Sequence, residues 1–165
     1  MTQHPTMEQG AATQFPVTAA AGIEARLTRL EAQNAILSRL YAYAHSIDYG
    51  DESAWVDCFT ANGIWDVRMR RRADGRIVCR GRAELAAYIA THTRAPYHWH
   101  KHLLAEPLIT VSGDTAVCDS YFVRLDTDDA GNHTVNGQGR YRDRLVRDAD
   151  GAWRFAERIV EVEDL

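Results

Sequence analysis

Residues 99–126 read WHKHLLAEPLITVSGDTAVCDSYFVRLD, two strand-like runs joined by the turn Ser112-Gly113-Asp114. A tight turn between two such runs predicts neighbouring antiparallel strands. With the runs that follow, four strands are predicted, at 99–111, 115–126, 133–147 and 152–162. Short connections between consecutive strands indicate a mostly antiparallel sheet.

Upstream of these strands, the sequence predicts a long amphipathic helix from Ile23 to Tyr49, ended by Gly50. Its apolar stripe is predicted at Leu27, Leu30, Leu37, Leu40, Tyr41, Ala44 and Ile47. A short helix follows at 51–59, with Asp51 as its N-cap.

A hairpin is predicted next, and then a third helix. The hairpin strands are Ile64–Met69 and Arg76–Arg80 around Ala73-Asp74-Gly75, and the helix is Arg82–Thr93. The order α-α-β-β-α-β-β-β-β predicts an α+β fold with a curved, mixed but mostly antiparallel sheet. If the long helix crosses the concave face of that sheet, the two enclose a pocket.

Composition limits the remaining possibilities. The chain has 165 residues, the size of one domain, which we place at 22–165 after a flexible lead at 1–21. Its net charge of -4 argues against nucleic-acid binding, and no apolar run predicts a membrane span.

Its three cysteines form no CxxC pair, which favours a reducing, cytoplasmic location. An arginine-rich hairpin is interpreted as solvated; its arginines are Arg68, Arg70, Arg71, Arg72, Arg76, Arg80 and Arg82.

Two features predict chemistry. Asp48 falls on the buried stripe of the long helix, where an ionised carboxylate needs a partner. His98, His100 and His102 alternate and would share one face of a strand. They could be metal ligands, or one of them could be a general base paired with a carboxylate. Pro96 leaves a third possibility, exposed histidines on a loop.

The chain resembles the SnoaL-like branch of the nuclear-transport-factor-2-like superfamily, which contains scytalone dehydratase and hexachlorocyclohexane dehydrochlorinase. The resemblance covers about residues 23–162 and depends on the joint order of four pieces. They are Ser46-Ile47-Asp48-Tyr49, Lys101-His102-Leu103-Leu104 before Pro107-Leu108-Ile109, Val111-Ser112-Gly113-Asp114-Thr115-Ala116, and Gly139-Arg140-Tyr141 leading to Gly151-Ala152-Trp153-Arg154-Phe155.

The resemblance implies a cone-shaped α+β barrel with an internal pocket, in which Asp48 and His102 form a catalytic pair. It also implies that Tyr43, Trp65 and Arg158 contact the substrate. We expect His100 and Tyr141 to contact the substrate as well. Tyr43 stands where the two named enzymes have lysine or tryptophan. The second catalytic histidine of scytalone dehydratase has no clear counterpart after residue 115.

These features predict a lyase or isomerase that needs no cofactor or metal and acts on a small, largely apolar molecule. His102 would remove a proton, with elimination, dehydration, double-bond migration or cyclisation as the outcome. The alternatives are a histidine metal site and a non-catalytic ligand-binding or assembly subunit, like the small subunit of aromatic-ring dioxygenases. A homo-oligomer, dimer or trimer, is expected because the outer face of the sheet needs cover.

Overall fold

The computed structural model describes residues 22–70 and 75–163. Within them the chain forms three helices and six strands, in the order that the sequence predicts. The helices are α1 (Ile23–Tyr49), α2 (Glu52–Asp57) and α3 (Gly81–Ile89). The strands are β1 (Phe59–Met69), β2 (Arg76–Arg80), β3 (Trp99–Ser112), β4 (Thr115–Thr127), β5 (His133–Arg147) and β6 (Trp153–Val162). The predicted lead at 1–21 lies outside the described residues, as does most of the predicted turn Ala73-Asp74-Gly75.

The strands form one sheet in the order β2-β1-β6-β5-β4-β3. Only β1 and β6, the second and third strands in this order, are parallel, and the other neighbouring pairs are antiparallel. The sheet does not close, and β3 forms one of its edges. The predicted α+β class with a mixed, mostly antiparallel sheet is therefore confirmed.

Helix α1 buries a different stripe from the predicted one. Leu27, Leu30 and Tyr41 are exposed, whereas the buried apolar positions are Ile36, Leu40, Tyr43 and Ile47. These four recur at three- and four-residue steps, so they form one continuous face against the sheet and α2. The predicted stripe was wrong at Leu27, Leu30 and Tyr41 because, at about 100° per residue, all three point away from the centre of this buried face. Ile47 and the neighbouring Asp48 nevertheless lie on the buried side.

The end of α1 sets the position of Asp48. Gly50 adopts a left-handed conformation (φ 77°), and its N–H donates to the Ser46 carbonyl at 2.9 Å. Only glycine takes this conformation at little cost, so the helix ends here as predicted. Asp51 then caps α2, since its side chain accepts from the Ala54 N–H at 3.0 Å. Asp48 is thereby held in the last turn of α1.

The largest differences from the predicted boundaries are at the start of β1 and at the end of α3, while α2 is shorter than predicted. Strand β1 begins at Phe59 rather than Ile64, because Asn62-Gly63 forms a bulge in the strand and not a turn before it. A Cβ at Gly63 would lie 2.9 Å from the Phe155 carbonyl oxygen, so this position requires glycine. Helix α3 ends at Ile89 rather than Thr93, since Thr91 and His92 form tighter i→i−3 hydrogen bonds. No helix in the described ranges is long and apolar enough to cross a membrane.

Candidate active site

Asp48 and His102 meet where α1 packs against the edge strand β3. Oδ1 of Asp48 lies 2.6 Å from Nδ1 of His102, and Oδ2 of Asp48 accepts the backbone N–H of His102 at 3.0 Å. Asp48 is buried, and 12 % of the His102 side chain is exposed. Both carboxylate oxygens are thus bonded to the same residue, which offsets the cost of burying the charge.

The exposed part of His102 faces a cavity of about 580 Å³ between α1, α3 and the concave face of the sheet. The walls are mainly aromatic and aliphatic. Trp65 and Tyr88 pack with ring centroids 4.4 Å apart, and Phe122 stacks on Tyr141 at 4.7 Å. A cavity with mostly apolar walls and a few polar groups is typical of a small-molecule site.

Three of the predicted substrate contacts line this cavity with His102: Tyr43, Trp65 and Tyr141. The Trp65 indole N–H donates to the Tyr43 hydroxyl at 2.9 Å. Burial raises the pKa of both Tyr43 and Tyr141 above the usual range of a phenol. Both phenols therefore remain neutral, and Tyr43 keeps its own O–H available as a donor.

Comparison with known proteins agrees with this architecture, which is the fold of the nuclear-transport-factor-2-like, cystatin-like proteins. The model of the SnoaL-like domain matches residues 28–159. The chain belongs to the SnoaL-like domain family. This family includes polyketide cyclases and subunits of ring-hydroxylating dioxygenases. No curated protein matches the chain.

Solved structures extend the comparison for this SnoaL-like chain. Rv3472, a protein of unknown function from Mycobacterium tuberculosis, is 32% identical, with a TM-score of 0.70 over 82% of this chain and 79% of that one. The β subunit of a putative aromatic-ring-hydroxylating dioxygenase from Novosphingobium aromaticivorans is 23% identical (TM-score 0.71, 84% and 93% covered). A protein from Catenulispora acidiphila, solved in complex with S-DNPA, is 26% identical (TM-score 0.64, 84% and 95% covered).

Arg158 does not line the cavity of the SnoaL-like domain. It is fully buried and forms two hydrogen bonds with Asp143, at 2.8 and 2.7 Å. Its guanidinium lies over the rings of Tyr43, Tyr141 and Phe155, at 4.2, 4.1 and 4.1 Å from their centroids. The expected substrate contact is therefore replaced by a structural role, because Arg158 supports the cavity wall from behind.

His100 is also shielded from the cavity, so its expected substrate contact needs the same correction. Its side chain is fully buried, with Nε2 3.5 Å from Oδ1 of Asp48. Both ring nitrogens lack a hydrogen-bond partner within the described residues. His98 precedes β3 and lies against Asp126 instead, with Nε2 3.2 Å from Oδ2. The three alternating histidines thus have three different environments.

Two groups of side chains bring metal-ligand atoms together in this SnoaL-like domain. One is Asp48, His100 and His102, and the other is His98, His100 and Asp126. In each group the ligand atoms lie within 4.8 Å of one another. In the first group Asp48 already accepts two hydrogen bonds from His102, and in the second Asp126 already accepts from Arg124. A metal ion would have to displace these bonds, so we assign none.

Several residues that line the cavity were missed by sequence reasoning: Tyr88, His92, Phe122, Arg124 and Asn136. Alternation along β4 could have found two of them, since Phe122 and Arg124 share the face of the buried residues Cys118 and Ser120. His92 enters through the turn after α3, which has no sequence signal. Whether Asn136 faces the cavity depends on the register between β4 and β5, which includes an irregularity after Arg124.

The environments of His92 and His100 predict that the folded protein loses stability in acid. Burial, and to a lesser degree the other histidines, lowers the pKa of His92 and of His100 from 6.5 to about 4. Both are thus neutral in the folded protein but become charged below about pH 6.5 when it unfolds. Above that pH the two histidines are neutral in both states, so the stability of the folded protein is complete. As the pH falls towards 4, the unfolded chain binds protons that the folded protein does not, and the free energy of unfolding decreases. By linkage, each should lower the free energy of unfolding by about 1–2 kcal/mol at pH 5.

Urea unfolding at neutral pH and at pH 5 measures this loss. The difference in the free energy of unfolding between neutral pH and pH 5 should be smaller in His100→Asn than in the wild type. It should keep its wild-type size in His133→Gln, which changes an exposed histidine on β5. The interpretation fails if His100→Asn shows the same difference as the wild type.

Proposed function

We propose that the protein is a cofactor-independent lyase or isomerase in which His102 removes a proton from a small, largely apolar substrate. The main support is the contact of Asp48 with Nδ1 of His102 beside an apolar cavity. Nε2 of His102 has no hydrogen-bond partner within the described residues, so this nitrogen is available to a bound molecule.

Asp48 would determine which ring nitrogen of His102 acts. An ionised carboxylate only accepts hydrogen bonds, so it favours the tautomer with the proton on Nδ1 and the lone pair on Nε2. When Nε2 takes a proton, the same carboxylate stabilises the imidazolium. The role of Asp48 is orientation and charge stabilisation, and His102 carries the proton.

Tyr43 would act as a neutral hydrogen-bond donor. Its oxygen accepts from Trp65, while its O–H remains available for a substrate oxygen. Because burial raises the pKa of Tyr43, the group would donate a hydrogen bond without losing its proton at neutral pH. A substrate with an oxygen near the acidic C–H or O–H fits this arrangement.

A screen for proton removal tests the proposal. Small ketones, β,γ-unsaturated carbonyl compounds and hydroxylated or halogenated compounds are incubated with the protein in D2O and followed by proton NMR. Protein-dependent deuterium incorporation or product formation is expected for the wild type and for His133→Gln, and it should disappear in His102→Gln. A chelator should leave the reaction unchanged.

The proposal fails if His102→Gln retains the wild-type reaction rate. The second candidate, a non-catalytic ligand-binding or assembly subunit, is favoured if compounds bind in the cavity but none reacts. The likeness to a dioxygenase β subunit makes that candidate worth testing. The buried contact between Asp48 and His102 weighs against this non-catalytic candidate, since ligand binding alone does not require such a pair.

We propose that the chain also forms a homo-oligomer. Apolar side chains on the outer face of β3 and β4 are exposed in the isolated chain: Leu103, Leu108, Val117 and Tyr121. Such a patch typically marks a protein interface. Light scattering should give the mass of a dimer or trimer, which Leu108→Glu should reduce. A monomeric wild type would contradict this prediction.

A further inference from the structure

Arg124 lies directly opposite His102 in the β3–β4 ladder. Directly opposite residues of an antiparallel pair point to the same face, with Cβ atoms about 5 Å apart. Both side chains line the cavity. The sheet therefore places Arg124 and the proposed base next to each other on the cavity wall.

Asp126 fixes the orientation of Arg124. Its Oδ1 accepts from Nε of Arg124 at 2.8 Å, and its Oδ2 accepts from Nη2 at 3.3 Å. Oδ2 also lies within hydrogen-bond distance of His98 and Asn136. Burial acts to raise the pKa of Asp126, but the hydrogen bonds from Arg124 and Asn136 lower it below the ordinary value. The carboxylate is thus ionised and holds one edge of the guanidinium.

The other edge of Arg124 remains available. Nη1 has no hydrogen-bond partner among the residues that the structure describes, and a quarter of the side chain is exposed at the cavity. The neighbouring His92 and His100 are neutral near pH 7, since burial lowers the pKa of each to about 4. Among the described residues that line the cavity, Arg124 is consequently the one permanent positive charge. A fixed donor in a largely apolar site stabilises a developing negative charge more than water does.

We infer that Arg124 stabilises an oxygen anion formed next to His102, and that the substrate is a neutral carbonyl compound with a C–H on the adjacent carbon. This inference rests on the proposed function and specifies its substrate class. His102 Nε2 takes the proton, the C–H electron pair forms a carbon–carbon double bond, and the carbonyl π pair moves to oxygen as an enolate. In a β,γ-unsaturated substrate the enolate is a dienolate, and return of the proton from His102 to its γ-carbon re-forms the carbonyl and completes an isomerisation. In a substrate with a leaving group on the β-carbon, the enolate re-forms the carbonyl and expels that group with its bonding pair, which completes an elimination. Arg124 binds the oxygen throughout, most strongly when it is charged.

Binding of an enolate mimic tests the inference without knowledge of the substrate. The probe is 4-nitrophenolate, at a pH where the phenol is ionised, and 4-nitrotoluene is the neutral molecule of similar shape. Calorimetry should show that the wild type binds the anion about ten- to a hundredfold more tightly than the neutral compound, as for a charge-assisted hydrogen bond. The preference should disappear in Arg124→Gln, with the affinity for 4-nitrotoluene unchanged.

Matched variants separate this effect from others. Arg140→Gln removes an exposed arginine that pairs with Glu161 on the same sheet, and it should keep the preference. Arg124→Gln leaves Asp126 without its main partner; if that variant does not fold, Arg124→Gln combined with Asp126→Asn replaces it and should show the same loss. A wild type without the preference, or an arginine variant that retains it, overturns the inference.

His102→Gln distinguishes a failure of this inference from a failure of the proposed function. That variant should bind 4-nitrophenolate with the wild-type preference, because Arg124 is intact, although the proton exchange is lost. An intact preference together with exchange that does not depend on His102 would refute the proposed base and retain the anion site. Exchange that depends on His102, without any anion preference, would do the reverse.

Discussion

Turnover is expected to fall by about 10²–10⁴ when Asp48 is replaced by asparagine, although the side chain keeps its size. Two donors converge on the carboxylate, Nδ1 of His102 at 2.6 Å and the backbone N–H of His102 at 3.0 Å. Asparagine has one oxygen and can accept only one of them at its original position. If that oxygen accepts the backbone N–H, the amide NH₂ faces Nδ1, and the proton of His102 moves to Nε2. The base would then carry a proton where it needs a lone pair.

Steady-state kinetics with any substrate from the proton-exchange screen measures this loss. His102→Ala should lower turnover by a similar factor, and the double variant should be little worse than either single variant, because the two residues act as a unit. Asp119→Asn, an exposed carboxylate on β4, is the control and should retain wild-type turnover. Turnover near the wild-type value in Asp48→Asn would refute the assigned role of Asp48.

Removing either member of the buried Arg158–Asp143 pair is expected to cost about 3–5 kcal/mol in the free energy of unfolding. The pair joins directly opposite residues of β5 and β6 by two hydrogen bonds, and neither side chain is accessible. Burial alone would lower the pKa of Arg158, but Asp143 raises it above its usual value. Arg158→Met or Asp143→Asn therefore leaves a desolvated group without its partner.

Chemical denaturation of the single and double variants measures the cost. The combination Arg158→Met with Asp143→Leu should recover much of the stability, since no unpaired charge remains in the core. Arg82→Gln breaks an exposed ion pair with Asp57 and should change stability by less than about 1 kcal/mol. Losses below that value in both single variants would contradict the prediction.

The sequence predicts most of the fold because its signals are local. Alternation identifies the strands, and turns such as Ser112-Gly113-Asp114 separate them; an apolar period identifies α1, and Gly50 ends it. The proximity of Asp48 and His102 came from the family resemblance, while the residues alone indicated only that a buried carboxylate needs a partner. The strand that supplies this partner is more than fifty residues further along the chain.

The errors at the candidate site concern relations between elements that are distant in the sequence. The family resemblance assigns Arg158 to the substrate, whereas the β5–β6 register places it opposite Asp143. Arg124 was missed because its importance depends on standing opposite His102. The depth of His100 depends on how closely Asp48 approaches β3. The strand registers and the distance between α1 and β3 are set by the packing of the whole structure. Periodicity in the sequence does not contain this information.

The bond from the His102 backbone to Asp48 also affects the edge of the sheet. β3 is an outer strand, and outward N–H groups of such strands can pair with strands of other molecules. Asp48 occupies one of these donors with a buried negative charge, and α1 covers the same edge. The carboxylate that orients the proposed base therefore also protects the chain against edge-to-edge aggregation.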